Sequence, residues 1–393
     1  MANKPRIRFR GFTEDWEQRK LDELTISIGD GLHGTPKYDE NGSYYFINGN
    51  NLVDSKVSVT EETKKVAFEA LSNDDRRLDS TSILMSINGT IGTLARYNNE
   101  SIMLGKSVAY ITPKNINRDF LFYQLQGNVI QSYFYKNLTG TTIKNLGLGT
   151  IKNVIVMSTL SEEESKIGQF FYKLDQYITL HQCKLKKLNL AKKSLLQKLF
   201  PRNGSQIPGV RFKGFTDAWE QRKLSDITEV IMGQSPSSKN YTDNPNDNIL
   251  VQGNADLKDG KVIPRLWTKE ITKTIDKDGI ILTVRAPVGD VAKTDYKVVL
   301  GRGVAGIKGN DFIYQFLQKL QYNRHWVSLS SGSTFESINS NDIKDLIIDI
   351  PSIEEQNKIS MLLNNVNSII TLHQRKLERL QEVKKGLLQK MFV

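Results

Sequence analysis

Asparagine, glutamine and arginine side chains recur in short glycine-containing stretches in both halves of the chain. Arginine contacts guanine, and asparagine or glutamine contacts adenine, through paired hydrogen bonds in the major groove of DNA. The residues that could make such contacts are Asn50, Asn88, Gln252, Arg285 and Arg302. Each residue taken singly also fits an ordinary loop, but together, in matched loops of a basic chain, they favour DNA as the ligand.

Other polar and basic residues in the same regions extend this set. The stretch DGLHGTPKY begins at Asp30 and MGQSPSSKNY begins at Met232, and each contains a glycine turn, a hydroxyl residue beside a proline, a lysine and a tyrosine. Binding residues concentrate in loops, so we predict that these side chains also contact DNA. The additional residues are His33, Thr35, Lys37, Tyr38, Lys106, Thr141 and Thr142 in the first half, and Gln234, Ser235, Ser237, Lys239, Tyr241, Ser333 and Thr334 in the second.

The sequence lacks the motifs of catalysis and cofactor binding. There is no P-loop, and NPND at Asn244 lacks the second proline and the aromatic residue of a DNA methyltransferase motif. Four histidines and the single Cys183 have no metal-ligand spacing. We therefore expect a binding protein without catalysis of its own, and a stand-alone nuclease or methyltransferase is the disfavoured alternative.

An internal repeat relates the two halves. FRGFTEDWEQRKLDEL begins at Phe9 and FKGFTDAWEQRKLSDI begins at Phe212. The offset between the copies falls from 203 (212 − 9) to 192 (371 − 179), so the second copy is shorter in its middle. We expect two homologous domains of about 200 residues each. In the two opening segments, residues 8–24 and 211–227, we expect the aromatic residues to fasten the framework: Phe12, Trp16, Phe215 and Trp219.

Each copy closes with a heptad pattern that predicts a long helix. Both helices begin with glutamates, which we expect at the positive end of the helix dipole. Apolar residues then recur at alternating spacings of four and three, as in a coiled-coil seam. The seam positions are Ile167, Phe171, Leu174, Ile178, His181, Leu185, Leu188, Lys192, Leu195 and Leu199 in the first helix, and Ile359, Leu363, Val366, Ile370, His373, Leu377, Leu380, Lys384, Leu387 and Met391 in the second. We expect the polar members His181, Lys192, His373 and Lys384 to set the register of paired helices, and the alternative is that each helix packs on its own domain.

Charge and hydropathy limit the ligand and the location. Lys and Arg number 54 against 43 Asp and Glu, and the formal net charge of +11 favours an anionic partner such as nucleic acid. No acidic residue lies between Asp175 and Asp217, where basic residues cluster, and contact with phosphate and a solvated helix surface are both open interpretations. The start of the chain has no signal-peptide core and the apolar runs are too short to cross a bilayer, so we expect a cytoplasmic protein without a membrane span.

These features resemble the specificity subunits of type I restriction-modification enzymes. The resemblance rests on the duplicated RFxGFTxxWExxKL segment, the two β-rich middles, the closing helices that end in LLQKxF, and the TGTT and SGST loops before those helices. It implies an α+β fold, with two homologous α/β target-recognition domains joined by two long antiparallel coiled-coil helices in a pseudo-twofold arrangement.

The resemblance also implies a role for each segment. Residues 1–160 would form the first target-recognition domain with its opening segment, and residues 161–200 would form the central spacer helix. Residues 201–216 would link this helix to the second target-recognition domain, residues 217–350. Residues 351–393 would form the C-terminal spacer helix.

The partners that the resemblance implies are double-stranded DNA and other protein subunits. A non-catalytic subunit of this kind reads a bipartite DNA target and positions two modification subunits, which are adenine methyltransferases, together with restriction and translocase subunits. S-adenosylmethionine, ATP and Mg would then be held by the partner subunits, with no cofactor in this chain. The alternative is a structural adaptor whose duplicated domains bind protein and not DNA.

Overall fold

A computed structural model describes residues 4–73, 75–202, 204–330 and 337–392, and contacts within it divide the chain into two units. Unit 1 contains Met1–Gln182 and Arg375–Val393, and unit 2 contains Cys183–Gln374. Unit 1 is therefore built from two separate segments of the chain, and the second of these comes from the last helix.

The strands of unit 1 are short and are connected by loops. They are β1 (Glu17–Lys20), β2 (Thr25–Asp30), β3 (Tyr44–Ile47), β4 (Leu52–Val53), β5 (Lys56–Val57), β6 (Lys65–Val66), β7 (Ile83–Ser86), β8 (Leu94–Arg96), β9 (Ile102–Leu104), β10 (Val108–Pro113) and β11 (Ile155–Ser158). The α-helices are α1 (Arg118–Leu125), α2 (Asn128–Lys136), α3 (Leu148–Asn153) and α4 (Ser161–Lys198), of which α4 continues into unit 2. Short 3-10 helices cover Leu21–Leu24, Gly49–Asn51, Phe68–Ala70 and Asp75–Arg77.

The central sheet of unit 1 is buried on both faces. Its strand order is β2-β10-β7-β8, and all neighbouring strands are antiparallel. Because side chains alternate between the faces of a strand, β7 contributes to two apolar clusters. Ile83 and Met85 pack in the cluster that includes α1, whereas Leu84 packs with Ile47 and Leu104. The last two residues lie on the parallel pair β3 and β9, which therefore covers the second face.

Unit 2 contains the counterparts of these elements. Its strands are β12 (Glu220–Lys223), β13 (Val230–Met232), β14 (Tyr241–Thr242), β15 (Asn248–Val251), β16 (Leu257–Lys258), β17 (Lys261–Val262), β18 (Trp267–Thr268), β19 (Thr274–Ile275), β20 (Ile280–Thr283), β21 (Val291–Lys293), β22 (Val298–Leu300), β23 (Val304–Ile307) and β24 (Ile347–Ile350). Its helices are α5 (Leu224–Ile227), α6 (Asp311–Tyr322), α7 (His325–Ser330), α8 (Ser340–Lys344) and α9 (Ile353–Met391), and 3-10 helices cover Ser238–Asn240 and Asn254–Asp256.

The sheets of unit 2 follow the same plan with more strands. One sheet has the order β13-β23-β20-β21-β17-β16 and the other has the order β14-β18-β15-β22-β19. The parallel pair β15 and β22 corresponds to β3 and β9 of unit 1. The antiparallel pair β12 and β24 likewise corresponds to β1 and β11. These equivalences confirm the two homologous domains that the repeat predicted.

The two long helices form as the heptad pattern predicted. Helix α4 begins at Ser161 and α9 begins at Ile353. All the predicted seam residues lie within the described ranges, and each is buried or half-buried. Within those ranges, none of the helices, long or short, combines the length and the apolar content that a bilayer crossing requires.

Both helices contribute to the core of each unit. In unit 1 the end of α9 runs antiparallel to the start of α4, because Phe392 stacks on Phe171 with ring centroids 5.7 Å apart and Lys384 pairs with Asp175 at 2.7 Å. In unit 2 the end of α4 and the start of α9 share one apolar cluster. It contains Leu196 from α4, Leu199 and Phe200 directly after α4, and Ile359 and Leu363 from α9. The alternative, in which each helix packs only on the domain before it, is wrong.

Candidate nucleic-acid interface

A half-buried arginine, a buried glutamate and a buried tryptophan join the opening segment of unit 1 to the start of α4. Arg8 donates from Nε to Oε1 of Glu163 at 2.6 Å and from Nη2 to Oε2 at 2.8 Å. Trp16 Nε1 donates to the same Oε2 at 3.1 Å. Burial alone would raise the pKa of Glu163, but hydrogen bonds from Arg8, Thr159 and Trp16 outweigh that effect and the pKa is lowered. We call Arg8, Trp16 and Glu163 the clamp of unit 1.

Unit 2 has the same clamp, formed by Arg211, Trp219 and Glu355. The two arginine–carboxylate distances are 2.7 and 2.9 Å, and the tryptophan–carboxylate distance is 3.2 Å. The glutamate side chain is 1 % exposed. From the sequence, the glutamates at the start of each helix were predicted only to interact with the positive end of the helix dipole. Their contact with the opening segments was missed. The signal that could have found it is the matched spacing of arginine and tryptophan in both opening segments.

The aromatic residues of the opening segments serve the framework. Trp16 and Trp219 are each 1 % exposed, which confirms the predicted role for both tryptophans. Phe12 and Phe215 each have a lysine amino group near the ring, at 4.9 Å and 4.7 Å from the ring centroid. The near identity of the two opening segments therefore follows from the clamp and its surroundings.

Each unit presents a predicted base-reading residue at the tip of the same turn. Ser86 closes this turn in unit 1 by accepting a main-chain hydrogen bond across it at 3.0 Å, and Thr283 does the same in unit 2 at 2.9 Å. Asn88 lies at the tip in unit 1 and Arg285 lies at the corresponding position in unit 2. The main chain is thus the same where the side chains differ.

The residue before each tip connects the turn to a second loop. The N–H of Ile87 donates to the carbonyl of the residue after Lys106, and the N–H of Val284 donates to the carbonyl of the residue after Arg302, both at 2.9 Å. These bonds bring Lys106 beside Asn88 in unit 1 and Arg302 beside Arg285 in unit 2. We call the hydrogen bonds around Ile87 and Val284, together with the turn, the loop framework.

In unit 2 the loop framework borders a cleft of about 220 Å³. Five of the predicted DNA contacts line it: Ser235, Tyr241, Gln252, Arg285 and Arg302. Both arginine side chains are exposed, and no ion pair or hydrogen bond engages either guanidinium within the described ranges. Two cationic, planar donor groups are therefore available at one concave surface.

Gln252 is fixed at two points in this cleft. Its N–H donates to Oδ2 of Asp256 at 2.8 Å, and its side-chain Nε2 donates to the Tyr241 hydroxyl at 2.7 Å. The side chain keeps one amide hydrogen and its carbonyl oxygen for a ligand. These are the groups that glutamine uses to contact adenine.

Asn254 also lines the cleft, and it was not among the DNA contacts predicted from the sequence. Its side-chain amide donates to a carboxylate oxygen of Asp290. The parallel strand pairs align INGNNL with VQGNADL so that Asn254 corresponds to Asn50, while Gln252 corresponds to Asn48. The alignment of these two stretches was a signal that could have identified Asn254.

In unit 1 the loop framework gathers the corresponding predicted residues. Asn50 follows Gly49, whose Cα lies against the loop of Asn88, and Lys106 lies beside both. Asn88 forms a β-bridge with Asn145, at the base of the loop that carries Thr141 and Thr142. All five of these predicted contacts are half-buried or exposed: Asn50, Asn88, Lys106, Thr141 and Thr142.

The remaining predicted contacts lie on loops outside these clusters or outside the described ranges. His33, Thr35, Lys37 and Tyr38 are exposed on the loop after β2, where His33 pairs with Asp30 at 2.7 Å. Gln234, Ser237 and Lys239 are exposed on the loop after β13 and do not line the cleft. Ser333 and Thr334 lie outside the described residues.

The basic stretch between Asp175 and Asp217 is not a single phosphate-binding surface. Arg211 is held in the clamp of unit 2, and Lys192 is buried on the helix seam. Burial lowers the pKa of Lys192 to about 8. Both residues therefore have a structural role, as does Lys384 in its ion pair with Asp175.

Across residues 4–73, 75–202, 204–330 and 337–392, no group of three or more histidine, cysteine, aspartate or glutamate side chains could hold a metal ion. The clusters at the loop framework are made of amides, cations and hydroxyls. Such groups can form hydrogen bonds with a ligand.

Comparisons with known proteins identify relatives along the whole chain. A family model described as "Type I restriction modification DNA specificity domain" matches residues 13–190 and 216–382. A protein of Methanocaldococcus jannaschii assigned as the MjaX type I restriction enzyme specificity subunit is 27% identical over 95% of this chain and 92% of its own length. The MjaVIII specificity subunit of the same organism is 20% identical over 95% of this chain and 91% of its own length.

Solved structures share the fold at low sequence identity. The S subunit of a type I restriction-modification system from M. genitalium has a TM-score of 0.67 and 15% identity, and the match covers 99% of both chains. A chain from a study of complex assembly and conformational transition in a type I system has a TM-score of 0.58 and 19% identity, over 95% of this chain and 96% of the other. The predicted α+β fold class is confirmed.

Proposed function

The chain belongs to the type I restriction modification DNA specificity domain family and is a non-catalytic specificity subunit, and from that premise we propose that each unit reads one half of a bipartite DNA target. The family match falls in both copies of the repeat. Two related readers on one chain give a target with two different halves, because their exposed loop residues differ.

The observation that carries this proposal is the loop framework. Both units hold a turn and two neighbouring loops by the same main-chain hydrogen bonds, yet they present Asn88 and Lys106 in one case and Arg285 and Arg302 in the other. Main-chain geometry sets where a side chain meets a base edge, and the side chain sets which base is accepted. A fixed framework with different tips is what two readers of different sequences require.

The loop framework also supports an order among the proposed DNA contacts. We assign DNA contact first to the residues that it gathers, and second to the exposed loops after β2 and β13. The segment assignments follow: residues 1–160 and 217–350 as target-recognition domains, and residues 161–200 and 351–393 as spacer helices that fix the number of unread base pairs.

The partners in this proposal are the other subunits of a type I system. The solved chain with a TM-score of 0.58 comes from a study of how such a system assembles, which supports assembly here as well. In the proposal two modification subunits bind one chain, since a duplicated protein offers two equivalent docking surfaces. Those subunits hold S-adenosylmethionine, the restriction subunits hold ATP and Mg, and the complex acts on DNA in the cytoplasm.

The experiment that tests the proposal is methylome sequencing of cells that carry the cognate modification subunit, with and without this chain. We expect an asymmetric two-part motif, methylated on adenine in each half, only when the chain is present. Cells with the modification subunit alone are the control. A methylome that is the same with and without the chain would sink the proposal.

A further inference from the structure

The two units differ in the charge of the side chains that we propose contact the bases at matched positions. Unit 2 has Arg285 at the turn tip and Arg302 on the neighbouring loop, where unit 1 has Asn88 and Lys106. Only unit 2 has arginine at these positions, and the two arginines line the same cleft. The difference therefore concerns the kind of base edge that each unit accepts.

The arginines of unit 2 are positioned by fixed main chain. The residue before Arg285 donates to Gly303 at 2.9 Å, and its carbonyl accepts from Ile338 at 3.0 Å. The N–H of Arg302 donates to the Ser235 hydroxyl at 3.1 Å. A side chain at Gly303 would overlap the carbonyl of Gln252, so this close approach of the loops requires glycine. The guanidinium groups thus project from rigid supports.

The neighbours of the arginines favour a base over a phosphate. A phosphate offers only acceptor oxygens, whereas a base edge in the major groove offers both donors and acceptors. The same cleft contains the free carbonyl oxygen of Gln252, and Asp290 lies at its edge through its contact with Asn254. These acceptor oxygens beside the arginines would repel a phosphate, but they can accept hydrogen bonds from the donor groups of a base.

We infer that unit 2 reads a half-site with guanine at two positions, through the N7 and O6 atoms contacted by Arg285 and Arg302. This inference rests on the proposed function, because it specifies the half-site that unit 2 reads. Arginine paired with guanine is the commonest specific contact in the major groove, and its planar donor fork fits the two acceptors of that base.

The test uses the complex of this chain with its modification subunit, bound to the methylated motif found in cells. Each guanine of the unit 2 half-site is replaced by 7-deazaguanine, which lacks N7, or by inosine, which keeps N7 and O6 and loses only the minor-groove amino group. We expect about a tenfold or greater loss of affinity with 7-deazaguanine at each of two positions. Inosine should leave the affinity unchanged.

Two variants connect these positions to the arginines. Arg285→Asn and Arg302→Gln each remove one guanidinium and leave a neutral side chain. In each variant, 7-deazaguanine at the position that the lost arginine contacted should cause no further loss of affinity. Arg222→Gln removes an exposed cation on β12 and should leave the dependence on both guanines intact. The thermal unfolding midpoint of each variant should equal that of the wild type, because both arginines are exposed.

The possible outcomes distinguish a failure of this inference from a failure of the proposed function on which it rests. A two-part motif whose unit 2 half contains no guanine, or no loss with 7-deazaguanine, overturns the guanine assignment while the specificity function stands. Equal loss on unrelated DNA in the arginine variants indicates phosphate contact and also overturns it. Absence of any methylated motif counts against the proposed function itself.

Discussion

Units 1 and 2 share their hydrogen bonds around Ile87 and Val284 but present different side chains from them. In contrast, their clamps are alike in residue type and agree within 0.1 Å in each arginine–carboxylate and tryptophan–carboxylate distance. The clamp glutamates and tryptophans are buried and the clamp arginines are half-buried, so a change in one residue leaves enclosed partners without their hydrogen bonds. Lys106, Arg285 and Arg302 are exposed and Asn88 is half-buried, so these residues can change at little cost to the fold. In these two regions the shared residues are thus enclosed by partners, whereas the differing residues reach the surface.

The helix seam shows a second difference between the units. Lys384 pairs with Asp175 in unit 1, but at the corresponding positions of unit 2 Lys192 matches Asn367. Within the described ranges no carboxylate pairs with Lys192, and its amino group lies 5.9 Å from the Tyr322 ring centroid. Unit 2 therefore buries a cation that unit 1 neutralises.

The largest effect should come from breaking a clamp. Glu163→Ala leaves Arg8 and the Trp16 indole without their shared acceptor, and removing one partner of a buried ion pair costs about 3 to 5 kcal/mol. Glu355→Ala should cost a similar amount in unit 2. Urea denaturation followed by tryptophan fluorescence measures both losses.

Glu162→Ala is the matched control for this comparison, since Glu162 is exposed and pairs with Lys166, which is also exposed. We expect a change within about 0.5 kcal/mol for an exposed site. Equal destabilisation by Glu162→Ala and Glu163→Ala would show that the clamp does not hold the opening segment.

Lys192 should make stability depend on pH. Its folded pKa of about 8 lies below the usual 10.5, so the unfolded chain holds the proton more tightly. Stability is therefore reduced below pH 8 and rises between about pH 8 and 10.5, by up to about 3 kcal/mol. Unfolding free energies at pH 7.5 and 9.5 should show this rise in the wild type, and Lys192→Met should remove that part of it.

Asn367→Asp tests the same difference by introducing into unit 2 the aspartate that unit 1 has at the matching position, Asp175. The new carboxylate should raise the pKa of Lys192 and stabilise the protein at pH 7.5. If the unfolding free energy changed with pH in the same way for the wild type, Lys192→Met and Asn367→Asp, this account of the seam would be contradicted.

A graft between the units should change specificity with little effect on stability. Asn88→Arg combined with Lys106→Arg gives unit 1 the two arginines that unit 2 has at the turn tip and on the neighbouring loop, on the same loop framework. We expect the half-site of unit 1 to gain preference for guanine, by about 1 to 3 kcal/mol per contact, measured by competition binding with variant half-sites. An unchanged preference would mean that the tips do not act independently of the rest of each unit.

The sequence predicted the periodic features of the fold well. The long helices, their seam and the duplication depend on local spacing and repetition, which are visible in one chain. Lys106 and Arg302 were found for the same reason, because the glycines around them align the two copies.

The sequence did not reveal contacts between distant segments. Arg8 and Glu163 are 155 residues apart, so no pattern within one segment shows that they meet. The repeated spacing of arginine and tryptophan indicates only that the opening segments share a role. Arg211 and Lys192 were counted in a basic stretch because charge alone does not show burial. Asn254 was missed although the alignment of INGNNL with VQGNADL matches it to Asn50, and the parallel strand pairs have the same register.

The central claim is that each unit reads its own half-site. It is tested most directly by replacing residues 217–350 with the matching segment of a family member that has another target, and sequencing the methylome. The account predicts a motif in which one half and the spacing are kept and the other half is new. A motif that is unchanged, or one that changes in both halves, would contradict it.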